Sequence, residues 1–218
     1  INSNNNDSMT HRHHISIGLL TVVILLFCAS IGVQAAPSAN EIMRKAAATL
    51  TSSSGVTVEY SLSGSGRNSS GTVIMKGSAF FLDMGRYKTW YDGRTMTTLD
   101  NSEKTATLST PSAAEVNEAL PLSYISQWSR DYRVALAPKQ PSSGYCLILT
   151  SKSSSATARK AVLTVSANFR PSKLVVSLKN GRTATLTVRS ITIGGSSAAS
   201  HFRFPTSKYP KVKIIDLR

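Results

Sequence analysis

The run at residues 56–63 reads Val56-Thr-Val-Glu-Tyr-Ser-Leu-Ser63, with apolar and polar side chains alternating at every step. Successive side chains of an extended strand point to opposite faces, so the alternation predicts a strand with one buried and one solvated face. Gly64 and Gly66 follow, and they predict a loose turn into a second strand over residues 71–76. A two-stranded hairpin is barely stable alone, so we expect these strands to pair with others.

Further strands of this kind continue toward the C-terminus. Asp92-Gly93 and Asn180-Gly181 are strong signals for two-residue hairpin turns between them. The 34 Ser and 21 Thr residues suit half-buried strands that carry hydroxyls on the outward face. With one or two short edge strands after residue 200, the pattern predicts about ten or eleven antiparallel strands. A sheet of that length must curl, so the expected fold is mainly β: a strongly curved antiparallel sheet that forms an incompletely closed barrel.

One helix is predicted before the first strand. Ser38 and Glu41 have the spacing of a capping box, in which each side chain binds the backbone N–H of the other residue. Apolar residues at intervals of three and four then form one stripe: Ile42, Met43, Ala46, Ala47 and Leu50. This stripe must cover another apolar surface, and the concave face of the curved sheet is available.

A helical insertion interrupts the strands midway along the chain. Thr110-Pro111 predicts an N-cap followed by a first-turn proline, with a helix running through Ala119. Leu122, Ile125 and Trp128 predict a further turn or two with one apolar edge. The insertion and the first helix together are expected to form a helical lid over the concave face.

An apolar cavity remains beneath the lid if the two helical segments cover the concave face incompletely. Its candidate lining is Tyr60, Phe80, Leu82, Met84, Trp90 and Met96. The candidate lid residues are Ile42, Met43, Leu50, Leu122, Ile125 and Trp128. An ordinary filled core is the alternative, because periodicity alone does not distinguish it from a cavity.

The inventory of reactive side chains speaks against catalysis. After residue 35 the chain retains one histidine, His201, and one cysteine, Cys146. A transition-metal site needs three or four closely spaced ligands, and no such cluster is present in the sequence after residue 35. Cys146 shares a strand face with Ile148, which we interpret as the position of a small buried hydrophobe. We therefore expect no metal, no cofactor and no enzymatic activity.

The N-terminal region has the pattern of a secretory signal peptide. His11-Arg-His-His14 precedes an apolar run over residues 15–27, and small residues follow up to Ala35. This order predicts cleavage after Ala35, export of the mature chain, and one domain over residues 36–218.

Two other interpretations of the N-terminal region are less favoured. A membrane anchor would need a longer apolar run and a basic cluster after it. Acylation of Cys28 would need a small residue where bulky Phe27 stands. Residues 1–8 lie before Met9 and are interpreted as an upstream extension without a function of their own.

The exported part of the chain is strongly basic. After residue 35 it holds 24 Lys and Arg against ten Asp and Glu, a net charge of +14. Basic runs such as Arg159-Lys160 fit either an anionic partner or a solvated strand face. A non-enzymatic envelope module that binds an anionic partner is therefore the alternative function. Nucleic acid is not expected as a partner, because no basic patch is interleaved with aromatics. An outer-membrane barrel is disfavoured, because helices interrupt the short strands.

Four short motifs, taken in order, carry a resemblance to a known family. They are Trp90-Tyr-Asp-Gly-Arg-Thr-Met96, Leu120-Pro-Leu-Ser-Tyr-Ile125, Lys179-Asn-Gly-Arg-Thr183, and the terminal Phe202-Arg-Phe-Pro with Lys208-Tyr-Pro-Lys-Val-Lys-Ile-Ile-Asp-Leu-Arg218. With the predicted order of helix, strands and insertion, the chain resembles the outer-membrane lipoprotein carriers, the LolA-like proteins. The resemblance covers nearly all of residues 38–218.

The resemblance implies a periplasmic carrier that sequesters the acyl chains of lipoproteins in its cavity and delivers them to the outer membrane. It implies two further partners, an inner-membrane lipoprotein-releasing transporter and an outer-membrane acceptor, and we expect a monomer. The family also uses a basic residue at the end of the second strand to keep the closed form releasable. Lys76 matches that place, with Gly77 as the alternative if the register slips by one residue. The planar guanidinium of Arg and the compact ammonium of Lys are not interchangeable. Whether this position can support release therefore depends on which residue occupies it.

Overall fold

The computed structural model describes residues 36–218 apart from 65–66, 121, 127, 155, 157 and 196–197. The predicted signal peptide, residues 1–35, lies outside the described residues. The α-helices are α1 (Ala39–Ala48), α2 (Ala113–Ala119), α3 (Ser123–Ser126) and α4 (Trp128–Asp131). Short 3-10 helices span Ala199–Phe202 and Thr206–Lys208. Within the described part of the chain, no helix combines the length and hydropathy needed to cross a membrane.

The strands form one mainly antiparallel sheet of twelve. They are β1 (Val56–Gly64), β2 (Arg67–Lys76), β3 (Ala79–Asp83), β4 (Tyr87–Tyr91), β5 (Met96–Asp100), β6 (Thr105–Ser109), β7 (Tyr132–Leu136), β8 (Tyr145–Ser151), β9 (Ala158–Val165), β10 (Pro171–Leu178), β11 (Thr183–Ile193) and β12 (Lys213–Asp216). Their order across the sheet is β12-β6-β5-β4-β3-β2-β1-β11-β10-β9-β8-β7. The sheet ends at β12 and β7 and is not closed into a barrel, which confirms the predicted fold class.

The strand order explains why the insertion covers the sheet. Strand β6 lies next to one end of the sheet, whereas β7 forms the opposite end. The connection between them, residues 110–131, must therefore cross the whole sheet, and it carries α2, α3 and α4 on its way.

The sheet curls around a single apolar core. Phe80 of β3 and Leu147 of β8 are both buried in one cluster with α1. Six strand spacings separate β3 from β8, which is about 29 Å in a flat sheet. A ten-residue helix such as α1 is only about 15 Å long. The sheet must therefore bend around α1, and we call the face that it turns toward the helix the concave face.

A second, smaller cluster lies on the opposite, convex face. Trp90, Leu99 and Ala106 are buried there. The C-terminal segment covers them, with the ring centroids of Phe204 and Tyr209 lying 5.2 Å and 6.0 Å from that of Trp90.

The placement of Trp90 in the cavity lining is therefore wrong. Trp90 pairs with Phe81, whereas Tyr91 pairs with Phe80. Directly paired residues share a face of the sheet, and Phe80 belongs to the concave core. Because the period of a strand is two, an error of one residue places a side chain on the other face, and Tyr91 is the aromatic residue that contacts the core.

Cys146 departs from its prediction for a similar reason. Cys146 shares a face of β8 with Ile148, as expected. The buried face of β8 is the other one, which carries Leu147 and Leu149. Cys146 is therefore half-buried on the convex face, as a free thiol, and the interpretation as a buried hydrophobe is wrong.

Two local boundaries also differ from the sequence predictions. Helix α2 is capped by Ser112, two residues after Thr110. Residues 199–208, expected to contain an edge strand, form the two 3-10 helices instead. These helices carry the chain along the convex face, so that β12 meets β6 in parallel rather than antiparallel pairing.

Candidate functional site

The predicted lining residues, Trp90 excepted, gather at the concave core. Tyr60, Phe80 and Leu82 are buried in the core cluster. Met84 and Met96 are partly buried and lie against it. Whether these side chains contact a ligand stays a prediction.

The predicted lid residues lie against the same core from the helical side. Ile42, Met43 and Leu50 come from α1 and its end, and they are buried. Leu122 and Ile125 of the insertion are buried as well, and Trp128 is partly buried against the cluster. Helix α1 contacts α3, β7 and β8, so the two helical segments close the concave face side by side.

Helix α1 is fixed at its start and along its length. The backbone N–H of Glu41 donates to Ser38 Oγ at 3.2 Å, which caps the helix. The Glu41 carboxylate lies 2.9 Å from Lys45 Nζ, and this contact lowers the pKa of Glu41. Lys45 Nζ also lies 4.4 Å from the ring centroid of Phe169, a cation–π contact that ties the helix to the loop before β10.

Helix α2 has the complete capping box that the sequence suggested for α1. The Ser112 backbone N–H and hydroxyl donate to Glu115 Oε2 at 2.7 Å and 2.8 Å, and the Glu115 N–H donates to Ser112 Oγ. These hydrogen bonds hold the pKa of the Glu115 carboxyl below its ordinary value. No residue of α2 itself is fully buried, and Val116 and Ala119 are only partly buried against the core.

A pocket of about 260 Å³ opens between the end of α1, α2 and the turn from β2 to β3. Its apolar lining includes Leu50, Met75, Phe80, Tyr91, Val116 and Leu120. The sequence analysis missed Met75 and Tyr91. Met75 follows Val73 at the strand period in β2 and could have been identified. Tyr91 could not, because its face depends on the register between β3 and β4.

Lys76 is the last residue of β2, and the residues on either side of it, Met75 and Gly77, line this pocket. It pairs with Ala79 across the turn Gly77-Ser78, and these two turn residues line the pocket. Gly77 has φ of +61°, a backbone conformation that favours glycine, so it serves the turn. The role of Lys76 in release stays a prediction.

Tyr60 carries an unsatisfied polar group at the far end of the concave core. Its hydroxyl is the buried side-chain polar atom that finds no hydrogen-bond partner among the described residues. Burial raises the pKa of Tyr60 to about 12. The ring lies over Gly71 of β2, where a Cβ atom would come within 2.8 Å of the hydroxyl oxygen, so only glycine leaves room for it.

Solved structures share this fold at low sequence identity. An uncharacterized conserved protein from Thermus thermophilus superposes with a TM-score of 0.55 and 14% identity, covering 82% of this chain and 98% of that one. A LolA superfamily protein from Nitrosomonas europaea is 16% identical, with a TM-score of 0.42 and coverage of 78% and 99%. A putative outer membrane lipoprotein-sorting protein domain from Vibrio parahaemolyticus is 10% identical, with a TM-score of 0.39 and coverage of 75% and 95%. Only the Thermus thermophilus structure has a TM-score above 0.5, and at 14% identity it supports the fold alone.

No curated protein matches the chain. The sequence profile of one family does match, over residues 29–200, which is most of the chain. That profile describes the outer membrane lipoprotein carrier protein LolA. The match agrees with the open sheet, the apolar concave face and the helical cover, and the chain belongs to the LolA family of outer membrane lipoprotein carrier proteins.

Proposed function

We propose that this protein is a periplasmic carrier that holds the acyl chains of lipoproteins between the concave face and the insertion helices. The observation that carries this proposal is the pocket of about 260 Å³, which leads from the surface to the apolar core under a weakly anchored helix. Membership of the family supports the same function.

The cargo requires a large apolar surface. Each methylene group removed from water contributes about 0.8 kcal/mol to the free energy of binding. Burial of an acyl chain of roughly fifteen methylenes therefore contributes roughly 12 kcal/mol. The observed pocket is smaller than the roughly 300–1,000 Å³ of typical ligand sites. On this proposal the structure is a closed form, and the cover would have to move before acyl chains could enter.

Helix α2, at the start of the insertion, is the part of the cover that we expect to move. It spans seven residues, none of them fully buried, and a helix this short is marginal without tertiary packing.

The lining suits cargo of variable shape. Four of the five methionines of the chain are buried in the core or lie against it: Met43, Met75, Met84 and Met96. Methionine is unbranched and adapts to irregular neighbours, so these side chains can repack around an acyl chain and close again after release.

The remaining elements of the proposal follow from the family. The carrier would be non-enzymatic and monomeric, would load at an inner-membrane lipoprotein-releasing transporter and would unload at an outer-membrane acceptor. Lys76, at the edge of the pocket, would help to keep the closed form releasable.

A dansyl-labelled fatty acid tests the cavity directly. We expect saturable binding at micromolar probe and displacement by a triacylated peptide. Leu122→Asp should abolish binding, because it places an unpaired carboxylate in the apolar interior. Binding through apolar contacts should also persist at about 1 M salt, where exposed charges are screened.

The matched control is Ile74→Asp. Ile74 is half-buried on the convex face of β2, where it pairs with Phe81 of the second cluster. This variant introduces the same charge as Leu122→Asp, but on the opposite face of the sheet from the insertion, and should retain probe binding. A wild-type protein that shows no saturable binding, or equal losses in the two variants, would leave an ordinary filled core as the better interpretation.

A further inference from the structure

The net charge of this protein is confined to one part of the chain. Residues 36–131 contain nine Lys and Arg and nine Asp and Glu, so their charges cancel. Residues 132–218 contain fifteen Lys and Arg and a single acidic residue, Asp216. The whole net charge of +14 therefore belongs to the second part.

The fold turns this partition along the chain into a partition in space. Strands β7–β11 lie side by side and form one half of the sheet, up to its β7 end. Residues 132–193, which include these strands, contain ten Lys and Arg and no acidic residue. The ion pairs found among the described residues all lie outside this range. Strands β7–β11 and their connections therefore carry ten basic residues and no acidic residue of their own.

The convex side of this half has an ordered arrangement of side chains, which we call the basic face. Its central row runs across four strands and is apolar: Ala135, Ile148, Val162 and Val175. On one side, the neighbouring row contains Arg133 and Lys160. On the other side, the neighbouring row contains Cys146 and Lys173. The basic face is therefore an apolar ridge with cations on both sides.

The basic face is exposed, in contrast to the other half of the convex side. There, the C-terminal segment covers Trp90 and Leu99. The ridge residues Ile148, Val162 and Val175 belong to neither hydrophobic cluster and are only half-buried by their neighbours. Arg133, Lys160 and Lys173 are exposed.

We infer that the basic face docks on an anionic lipid surface. A bilayer presents phosphate groups in a broad, flat array, and its attraction for Lys and Arg acts over about one Debye length. Cations spread over several strands match such an array. The apolar ridge between them can contact the acyl boundary below the headgroups. Docking by this face does not depend on whether the concave core holds cargo.

Vesicle co-sedimentation with cargo-free protein tests the inference. We expect binding to vesicles of phosphatidylcholine with about one-third phosphatidylglycerol at low salt, and no binding to pure phosphatidylcholine. Raising the salt to about 1 M should release the protein, since the Debye length falls to about 3 Å. The double variant Lys160→Glu with Lys173→Glu should lower the partition coefficient onto the vesicles at least about tenfold. Each cation near the membrane surface raises that coefficient by a factor of about five.

The matched control is Arg94→Glu with Lys104→Glu. These residues are exposed in the turns before and after β5, in the neutral part of the chain, and the double variant has the same net charge as the first one. It should retain most of the binding. Equal losses in the two variants would overturn the inference, because net charge alone would then explain the attraction. Binding to polyglutamate but not to anionic vesicles would also overturn it, in favour of an acidic protein partner.

Because the protein is cargo-free in this assay, failure here leaves the proposed carrier function untouched. Failure of the fatty-acid probe to bind would likewise leave the docking result standing.

Discussion

The two helical covers of the concave face differ in how they are held. Helix α1 spans ten residues, and Ile42, Met43 and Ala46 in it are completely buried. The insertion contributes three shorter helices; its first, α2, has no buried residue, whereas Leu122 and Ile125 farther along the insertion are buried. Both covers have a side-chain cap at the N-terminus of their first helix. The difference therefore lies in packing, and it indicates that α1 belongs to the core whereas α2 can leave it.

This difference assigns separate tasks to two segments that the sequence presented as one lid. Segments that open easily have few buried apolar contacts, and those that open only on global unfolding have many. We therefore expect α1 to determine the stability of the fold and α2 to determine access to the interior.

The largest expected effect is on stability. Ile42→Ala should lower the free energy of unfolding by about 2–5 kcal/mol, as usual for a truncated core residue. Val116→Ala, on the half-buried face of α2, should cost no more than about 1 kcal/mol. Urea unfolding followed by circular dichroism measures both. Equal costs would show that the insertion is as much a part of the core as α1.

The second prediction concerns amide hydrogen exchange in the wild-type protein. Backbone amides of α2 should exchange at least about tenfold faster than those of Ile42, Met43 and Ala46, because α2 opens locally and α1 does not. Exchange measured by NMR or mass spectrometry provides the rates. Uniform protection across both helices would contradict a movable insertion.

A smaller effect is expected from the caps. Ser112→Ala removes the side chain that accepts a hydrogen bond from the Glu115 N–H. The loss of this cap should lower the stability of α2 by about 1 kcal/mol. If α2 gates the interior, the open population and the rate of fatty-acid uptake should rise about fivefold.

Ser38→Ala is the matched control for the cap of α2. It removes the corresponding cap of α1. This variant should lower global stability by a similar amount and leave the uptake rate unchanged. If Ser38→Ala accelerated uptake as much as Ser112→Ala does, the proposal of different roles for α1 and α2 would be contradicted.

The smallest effect concerns pH. The folded pKa of Glu115 lies below its ordinary value of 4.5, because its carboxylate accepts hydrogen bonds from the Ser112 N–H and hydroxyl. The stabilisation of α2 is therefore complete above that ordinary value and is lost as the pH falls through the folded pKa. Uptake of the probe should become faster over this acidic range.

Glu115→Gln should remove this acid dependence of uptake. Glu41 is the comparison residue on α1, where Lys45 lowers its pKa. Glu41→Gln should alter the acid dependence of global unfolding rather than that of uptake. Stopped-flow fluorescence between pH 7 and about pH 3 measures the rates, and an unchanged profile in Glu115→Gln would contradict the prediction.

Local sequence signals predicted the local structure well. The alternation at residues 56–63 is strand β1, and Asp92-Gly93 forms the turn between β4 and β5, with the Asp92 N–H donating to the Thr95 carbonyl. Ser38 caps α1 as its spacing indicated. These features depend on residues close in the chain, so their physical causes are visible in the sequence.

Features that depend on distant segments were predicted less well. The face on which Trp90 lies is set by the register of β4 against β3, and one residue decides it. The parallel pairing of β12 depends on the path of the C-terminal segment over the convex face. Residues 199–208 form 3-10 helices on that path, packed against aromatic residues from β3 and β4. The apolar character of the concave core was predictable, whereas the pocket beside Met75 required the packing of three separate elements.

The methionine lining also makes the interior chemically vulnerable. Oxidation converts the apolar thioether of methionine into a polar, chiral sulfoxide. Met84 and Met96 are half-buried, and Met75, which lines the pocket, is 8% exposed, so an oxidant reaches these three side chains before Met43 of α1, which is fully buried. Mild peroxide treatment should therefore lower the affinity for acyl chains while the fold stays intact. A methionine sulfoxide reductase should restore that affinity.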